Sequence, residues 1–210
     1  MVDQQAFYQA LSEGKTDAVK ELTRAALAGG APAEVVLKEG LLPAMDRIGL
    51  RFKNCEIYIP EVLIAARAMH GGLGVLKPVL AKSTNEKTTK VVLGTVKGDM
   101  HDIGKNLVGM MLEGGGFEVI DLGVDVSEAD FIRSAKESGA KVIAMSALLT
   151  TTMVEMKVTI DAARAAGLDD VKMIVGGAPV TEEFARRIGA DGYAADAGTV
   201  VGKVRELVAA

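Results

Sequence analysis

The sequence predicts an α + α/β protein, in which an N-terminal helical bundle cap precedes a doubly wound, Rossmann- or flavodoxin-like domain with a five-stranded parallel sheet. Before residue 82 the apolar residues recur with helical spacing only, and after residue 89 short apolar runs alternate with helical segments. The polar stretch 82–89, KSTNEKTT, separates the two patterns and is typical of a linker. We therefore expect a bundle over residues 1–85 and a sheet domain over residues 86–210.

The first two bundle helices are predicted from their start and stop signals. Residues 4–11 form a short helical candidate. Thr16 and Asp17 are typical of a helix start, and the pair Gly29 and Gly30 is typical of a helix end.

Three prolines organise the rest of the bundle. Pro32 stands where a first-turn proline belongs, ahead of apolar residues with a 3.6-residue period over 35–50. Pro43 lies inside that pattern and should kink the helix or divide it in two. Pro60 opens the last predicted helix, so about four helices make up a small bundle.

The second half of the chain is predicted to contain five strand–helix units. The strands are expected at 91–96, 118–122, 141–146, 171–175 and, more weakly, 192–195. The helices are expected at 104–113, 128–138, 153–166, 181–188 and 200–209. Alternation of this kind predicts a parallel sheet with helices on both faces and suits the strand order 2-1-3-4-5.

Composition narrows the functional classes. Lys and Arg number 24 against 28 Asp and Glu, a net charge of −4, so neither a nucleic-acid footprint nor a polybasic membrane patch is expected. No uninterrupted apolar run reaches the roughly 18 residues of a membrane span, and residues 1–14 lack the apolar core of a secretory signal. Cys55 is the single cysteine, which suits the reducing cytoplasm.

Ligands of an open parallel sheet bind beyond the carboxyl ends of its strands, so the loops there are the candidate site. These loops are 97–104, 146–152, 176–179 and 195–198, and their residues are small, hydroxylic or titratable. They predict a deep slot rather than a flat surface. The phosphate loop G-x-x-x-x-G-K-[ST] is absent, and G-x-G-x-x-G does not follow the first strand.

His101 is the main candidate residue, since it follows the first strand with Asp99 two positions earlier. A ligating histidine usually donates its other N–H to a carboxylate, which Asp99 could provide, and Ser146 could hydrogen-bond that carboxylate in turn. One histidine cannot hold a bare zinc or iron ion, but it suits a metal already coordinated by a macrocycle. The alternative is an ordinary loop histidine bonded to Asp99 or Asp102.

Three motifs in these loops resemble those of a known family. Asp99, His101 and Gly104 fit D-x-H-x-x-G, the signature of corrinoid (vitamin B12) binding modules. The segment 146–148, S-A-L, resembles the family's S-x-L, and Gly176-Gly177 resembles its G-G. The string 94–106 is similar to the cobalamin module of methionine synthase. One departure from that module lies in the S-A-L segment, where Ala147 replaces a glycine. A bundle plus this module resembles the stand-alone corrinoid proteins of methanol, methylamine and methoxyaromatic methyltransferase systems.

The resemblance implies a cobamide bound with its lower base displaced and His101 on cobalt. His101, Asp99 and Ser146 would form the catalytic relay. A nucleotide tail would run between the strand ends, where the glycines permit close approach. The implied cofactor-binding residues are Gly98, Asp99, Met100, His101, Asp102, Ile103, Gly104, Ser146, Leu148, Thr150, Gly176, Gly177 and Ala197.

The resemblance also implies that the bundle covers the upper, methyl-bearing face of the cofactor. Tyr58 and Met69 are the candidates for apolar contact there, although such residues are more often part of a helical core. A substrate-specific methyltransferase, a second methyltransferase acting on tetrahydrofolate or a thiol coenzyme, and a reductive activation protein would be the partners.

Three alternatives stand beside the methyl carrier. A B12-sensing regulator usually has a tryptophan in the cap and a DNA-binding domain, and this chain has neither tryptophan nor a basic region. The small subunit of an adenosylcobalamin mutase generally lacks the bundle. A cofactor-free flavodoxin-like module does not account for the three motifs.

Overall fold

A computed structural model describes residues 2–83 and 88–209. The chain divides into two compact units, Met1–Lys87 with Glu113–Gly116, and Thr88–Leu112 with Phe117–Ala210. The predicted boundary between residues 85 and 86 lies outside the described residues, as does most of the predicted linker. Of that linker, residues 82 and 83 end the last bundle helix and residues 88 and 89 precede the first strand.

The first unit is helical, as predicted. Its elements are α1 (Gln4–Ser12), α2 (Thr16–Ala28), α3 (Ala33–Val35), a π-helical segment (Val36–Leu41), α4 (Leu42–Lys53) and α5 (Ile59–Ser83).

Pro43 changes the helix type instead of ending the helix. The N–H of Leu42 donates to the carbonyl of Leu37, five residues back, in the π-helical segment that leads into α4. Because proline has no N–H to donate, a wider turn ahead of Pro43 lets the chain stay helical without that bond. The predicted division into two separate helices is therefore wrong, because the chain stays helical from Ala33 to Lys53 and only the helix type changes.

Helix α5 forms the centre of the bundle and packs against α1, α2 and α4. Its buried side chains are Val62, Ala65, Ala66, Ala68, Met69 and Leu76. Among the described residues the segment Ile59–Leu80 is long and apolar enough to cross a membrane. A core helix meets the same criterion, so this is weak evidence for a span.

Cys55 adopts a strained backbone conformation after α4. Its φ is 58°, and its side chain is exposed. We expect Cys55→Gly to raise the free energy of unfolding by about 1 kcal/mol, because a Cβ in the left-handed region clashes with the backbone and no buried contact is lost. Urea denaturation measures this. Cys55→Ser retains the Cβ and should bring no gain; an equal gain in both variants would contradict the strain explanation.

The second unit is the predicted parallel sheet. Its strands are β1 (Lys90–Thr95), β2 (Glu118–Asp121), β3 (Val142–Ser146), β4 (Lys172–Gly176) and β5 (Gly192–Ala194). All neighbouring pairs are parallel, in the order β2-β1-β3-β4-β5. The helices are α6 (Ile103–Gly114), α7 (Glu128–Ser138), α8 (Val154–Ala165), α9 (Glu182–Arg187) and α10 (Val200–Ala209).

The register of the sheet brings the candidate loops to one level. Thr95 pairs with Ser146, Ser146 with Gly176, and Gly176 with Ala194. The loops that follow β1, β3, β4 and β5 therefore leave the sheet side by side. The loop after β1 lies next to the loop after β3, because β1 and β3 are neighbours in the sheet although β2 separates them in sequence.

Candidate functional site

The loop after β1 joins His101 to Asp99. Oδ1 of Asp99 accepts hydrogen bonds from the backbone N–H of His101 (3.1 Å) and from Nδ1 of its ring (2.7 Å). The Thr95 hydroxyl donates to the carbonyl of His101 (2.9 Å), which fixes the backbone beneath the ring. The imidazole is 50% exposed and the carboxylate 0%. Since an ionised carboxylate only accepts, Nδ1 carries the proton and Nε2 is the nitrogen left for a metal.

The second oxygen of Asp99 reaches the loop after β3. Oδ2 accepts from the backbone N–H groups of Leu148 (2.8 Å) and Leu149 (3.2 Å) and from the Thr152 hydroxyl (2.8 Å). Asp99 thus accepts five hydrogen bonds from two loops. Burial raises its pKa, but the hydrogen bonds from Leu148, His101 and Thr152 outweigh burial and hold the pKa well below its usual range. The carboxylate is a fixed anion behind the imidazole.

Thr152, and not Ser146, supplies the hydroxyl of this relay. Ser146 ends β3, and the hydrogen bond described for it runs from the Val96 N–H to its carbonyl (3.0 Å). The chain then turns, so that the buried hydroxyl of Thr152 faces Asp99. The relay predicted for Ser146 is therefore wrong. The sequence contains three consecutive threonines at 150–152, but the loop conformation decides which of their hydroxyls faces Asp99.

The glycine pair at the end of β4, Gly176 and Gly177, serves the backbone packing of the sheet. A Cβ on Gly177, whose φ is +131°, would lie 1.9 Å from the Ala147 carbonyl oxygen. A Cβ on Gly176 would lie 2.8 Å from the carbonyl oxygen of Ala194. A side chain at either position would first meet protein backbone, so the packing of the sheet requires both glycines, and the tail approach implied for them stays a prediction.

Gly104 behaves differently. A Cβ placed there would meet no described atom within 4 Å. Gly104 is the second residue of α6 and lies three positions after His101. It therefore leaves open space beside the histidine loop.

The remaining predicted residues of the sheet domain divide by exposure. Met100 and Ile103 are exposed apolar side chains in the histidine loop, and Leu148 is an exposed apolar side chain in the loop after β3. Thr150 and Asp102 are also exposed. Asp102 accepts a hydrogen bond from the Asn106 side chain (3.2 Å). Gly98 adopts a φ of +78° in the turn before Asp99. Ala197 is buried, so its side chain is not on an open surface.

The two bundle candidates differ from each other. Met69 is completely buried, as a residue of a helical core would be, and the ligand contact predicted for it stays a prediction. Tyr58 is exposed just ahead of α5, where its backbone N–H donates to the Glu61 side chain (3.2 Å).

The donor set suits a metal that arrives with its own ligands. Over residues 2–83 and 88–209, no group of three or more His, Cys, Asp or Glu side chains could hold a metal ion. One imidazole nitrogen, an anion behind it, exposed apolar side chains and an open glycine suit a macrocyclic metal complex with a vacant axial position.

Comparison with known proteins agrees with this chemistry. Two B12 binding domain models match, one at residues 89–201 and one at residues 3–77. A dimethylamine corrinoid protein of Methanosarcina barkeri is 42% identical over 207 residues, covering 98% of this chain and 97% of the relative.

Two solved structures share the whole architecture. A cobalamin-binding protein from Desulfitobacterium hafniense DCB-2 has a TM-score of 0.83 and 34% identity and covers 99% of both chains. The methanol:cobalamin methyltransferase complex of Methanosarcina barkeri has a TM-score of 0.82 and 28% identity, covering 97% of this chain and 78% of that chain.

Proposed function

This chain belongs to the family of corrinoid proteins with B12-binding domains, and we propose that it carries a methyl group on cobalt between two methyltransferases. The observation that carries the proposal is the Asp99–His101 pair, in which Asp99 holds Nδ1 of a half-exposed imidazole and leaves Nε2 as the nitrogen for a metal. A bound corrinoid supplies a cobalt centre that accepts and releases methyl groups, while the protein supplies ligand, position and charge.

His101 would bind cobalt through Nε2, with the lower base of the cobamide displaced. Asp99 fixes the tautomer and orients the ring. Its negative charge would also make Nε2 a stronger electron-pair donor to the metal. Thr152 and the N–H groups of Leu148 and Leu149 hold Asp99 ionised.

Ser146, Thr150 and Gly104 would contact the nucleotide tail. The open space at Gly104 supports this assignment and provides its test. We expect Gly104→Ala to weaken corrinoid binding about tenfold, because overpacking by a methyl group costs about 1–3 kcal/mol. The cofactor-free protein should be as stable as the wild type or slightly more so, since alanine favours helix.

Gly202→Ala is the matched control for this prediction. Gly202 is also helical, in α10, and a Cβ there would meet no described atom within 4 Å. Titration with hydroxocobalamin, followed by visible absorption, should show unchanged affinity for Gly202→Ala. Equal affinities for both variants and the wild type would place the tail elsewhere.

The expected partners are a substrate-specific methyltransferase that loads the methyl group, a second methyltransferase that passes it to tetrahydrofolate or a thiol coenzyme, and a reductive activation protein. Methylamines are the methyl donors to test first, since the dimethylamine relative is 42% identical and the methanol complex 28%. Methanol and aryl methyl ethers follow. A reducing cytoplasm suits the single exposed cysteine.

A coupled assay tests the function. The protein is loaded with hydroxocobalamin, reduced, and mixed with methylamine, methanol or aryl-ether methyltransferases and their substrates. We expect methylcobalamin to accumulate on the protein with one of these classes, at a rate that depends on the concentration of the loaded protein. Failure of the loaded protein to accept a methyl group from any class would contradict the proposal.

A further inference from the structure

The segment that follows β2 hydrogen-bonds to the loop that carries His101. The Thr95 N–H donates to the Gly123 carbonyl (3.0 Å), and the Val126 N–H donates to the Thr95 carbonyl (3.0 Å). Val96 and Val126 form an isolated parallel bridge. The segment 122–126 therefore runs beside the histidine loop beyond the end of the regular sheet, although it supplies none of the residues in the relay.

Asp125 makes the closest contacts between this segment and the relay. Its Oδ1 accepts the Gly98 N–H (2.7 Å), and its own N–H donates to the carbonyl of Asp99 (3.0 Å). One residue thus holds the backbone on both sides of the bond between Gly98 and Asp99. The opposite end of that turn is held by the Asp99 N–H, which donates to the Val96 carbonyl (3.1 Å).

The backbone of Asp125 is strained in making these bonds. Its φ is 54°, and within residues 2–83 and 88–209 only Cys55 shares a positive φ among non-glycine residues. Aspartate tolerates this region better than most residues but less well than glycine. A strained side chain in place of glycine is retained where the side chain itself is used, and here it accepts the Gly98 N–H.

We propose that Asp125 is a positioning residue for the Asp99–His101 pair; the inference rests on the proposed role of His101 as the cobalt ligand. Asp99 has to meet His101 in its own loop and Leu148, Leu149 and Thr152 in another. Its carboxylate reaches both only if its backbone is fixed, and Gly98, at a φ of +78°, gives the turn no stiffness of its own. Asp125 supplies that stiffness from the segment that follows β2.

The first test uses the cofactor-free protein and four variants. Hydrogen exchange of the Gly98 amide should accelerate about tenfold to a hundredfold in Asp125→Ala and Asp125→Gly, which lose a charged acceptor, and much less in Asp125→Asn, which retains an oxygen. The Nδ1 proton of His101 should exchange with water faster in the same two variants. Cys55→Gly, which removes the other positive-φ side chain, should change neither rate.

Asp125→Gly separates strain from hydrogen bonding and covers the case in which Asp125→Ala does not fold. Glycine removes both the backbone strain at residue 125 and the acceptor for the Gly98 N–H. If Asp125 had a purely structural role, the exchange of the His101 Nδ1 proton in this variant would equal that of the wild type. Wild-type exchange at Gly98 and at His101 Nδ1 in Asp125→Gly would overturn the inference.

The second test uses protein loaded with cobalamin. The ratio of histidine-ligated to histidine-free cobalt, measured from the visible spectrum, should fall about tenfold in Asp125→Gly and recover in Asp125→Asn. An unchanged ratio in Asp125→Gly, with wild type histidine-ligated, would overturn the inference. A wild type without histidine ligation would contradict the proposed function instead, and the His101 Nδ1 exchange in cofactor-free protein would then decide whether Asp125 positions the pair.

Discussion

Replacing Asp99 by asparagine is expected to lower the free energy of unfolding of the cofactor-free protein by about 3–5 kcal/mol, the range for removing one partner from a buried charged network. Five donors point at this carboxylate, and the amide of asparagine accepts through one oxygen only. The NH₂ group of the asparagine side chain must then face donors that now bind a carboxylate oxygen, either those of His101 or the Thr152 hydroxyl. Urea denaturation at neutral pH measures the loss.

The same substitution should remove an acid dependence of stability. The folded-state pKa of Asp99 is lowered, so its contribution is fully present above the unfolded-state pKa of about 4 and is lost as the pH falls toward the folded-state value. The gap between wild type and Asp99→Asn should therefore be constant near neutrality and narrow below about pH 4.

Asp102→Asn is the matched control for the Asp99 substitution. Asp102 is an exposed carboxylate in the same loop, and exposed substitutions of this kind change stability by about 0.5 kcal/mol or less. Equal stabilities for the two variants, or a gap that widens in acid, would contradict the assignment of Asp99 as a buried, ionised acceptor.

Gly177→Ala is expected to abolish stable folding of the sheet domain or to lower its stability by more than about 4 kcal/mol. The added Cβ would lie 1.9 Å from the Ala147 carbonyl oxygen. This oxygen belongs to the backbone, so it cannot move aside as the end of a flexible side chain could. A φ of +131° adds strain for any residue with a side chain.

Gly104→Ala is the control for that substitution, since its Cβ would enter open space. Circular dichroism with thermal melting should show a large loss for Gly177→Ala and none for Gly104→Ala. A Gly177→Ala protein with wild-type stability that fails only to bind corrinoid would contradict the packing explanation and restore a direct role in the tail slot.

The elements of the fold could be predicted because local patterns determine them. Alternating apolar runs and helices predicted the parallel sheet and suited the strand order that is observed, and the position of D-x-H-x-x-G after β1 located Asp99 and His101. Their juxtaposition follows from a spacing of two residues in one turn.

The contacts between separate loops could not be predicted in the same way. Whether Ser146 or Thr152 meets Asp99 depends on where the chain turns after β3, which no local pattern specifies. The role of Gly177 depends on a backbone approach between two loops, and Met69 became core because of how the bundle packs. Asp125 carries no motif of its own and gains its role only from its contact with Gly98 in the loop after β1.

The central claim is that Nε2 of His101 is the axial ligand of cobalt. Electron paramagnetic resonance of the cobalt(II) form, in protein carrying ¹⁵N-labelled histidine, tests it most directly, because one axial ¹⁵N splits each cobalt line into a doublet. His70, the second histidine, is the control, and its Nε2 lies 2.9 Å from Glu113 within the first unit. We predict the doublet in wild type and in His70→Ala and its loss in His101→Ala; a doublet that survives in His101→Ala would contradict the claim.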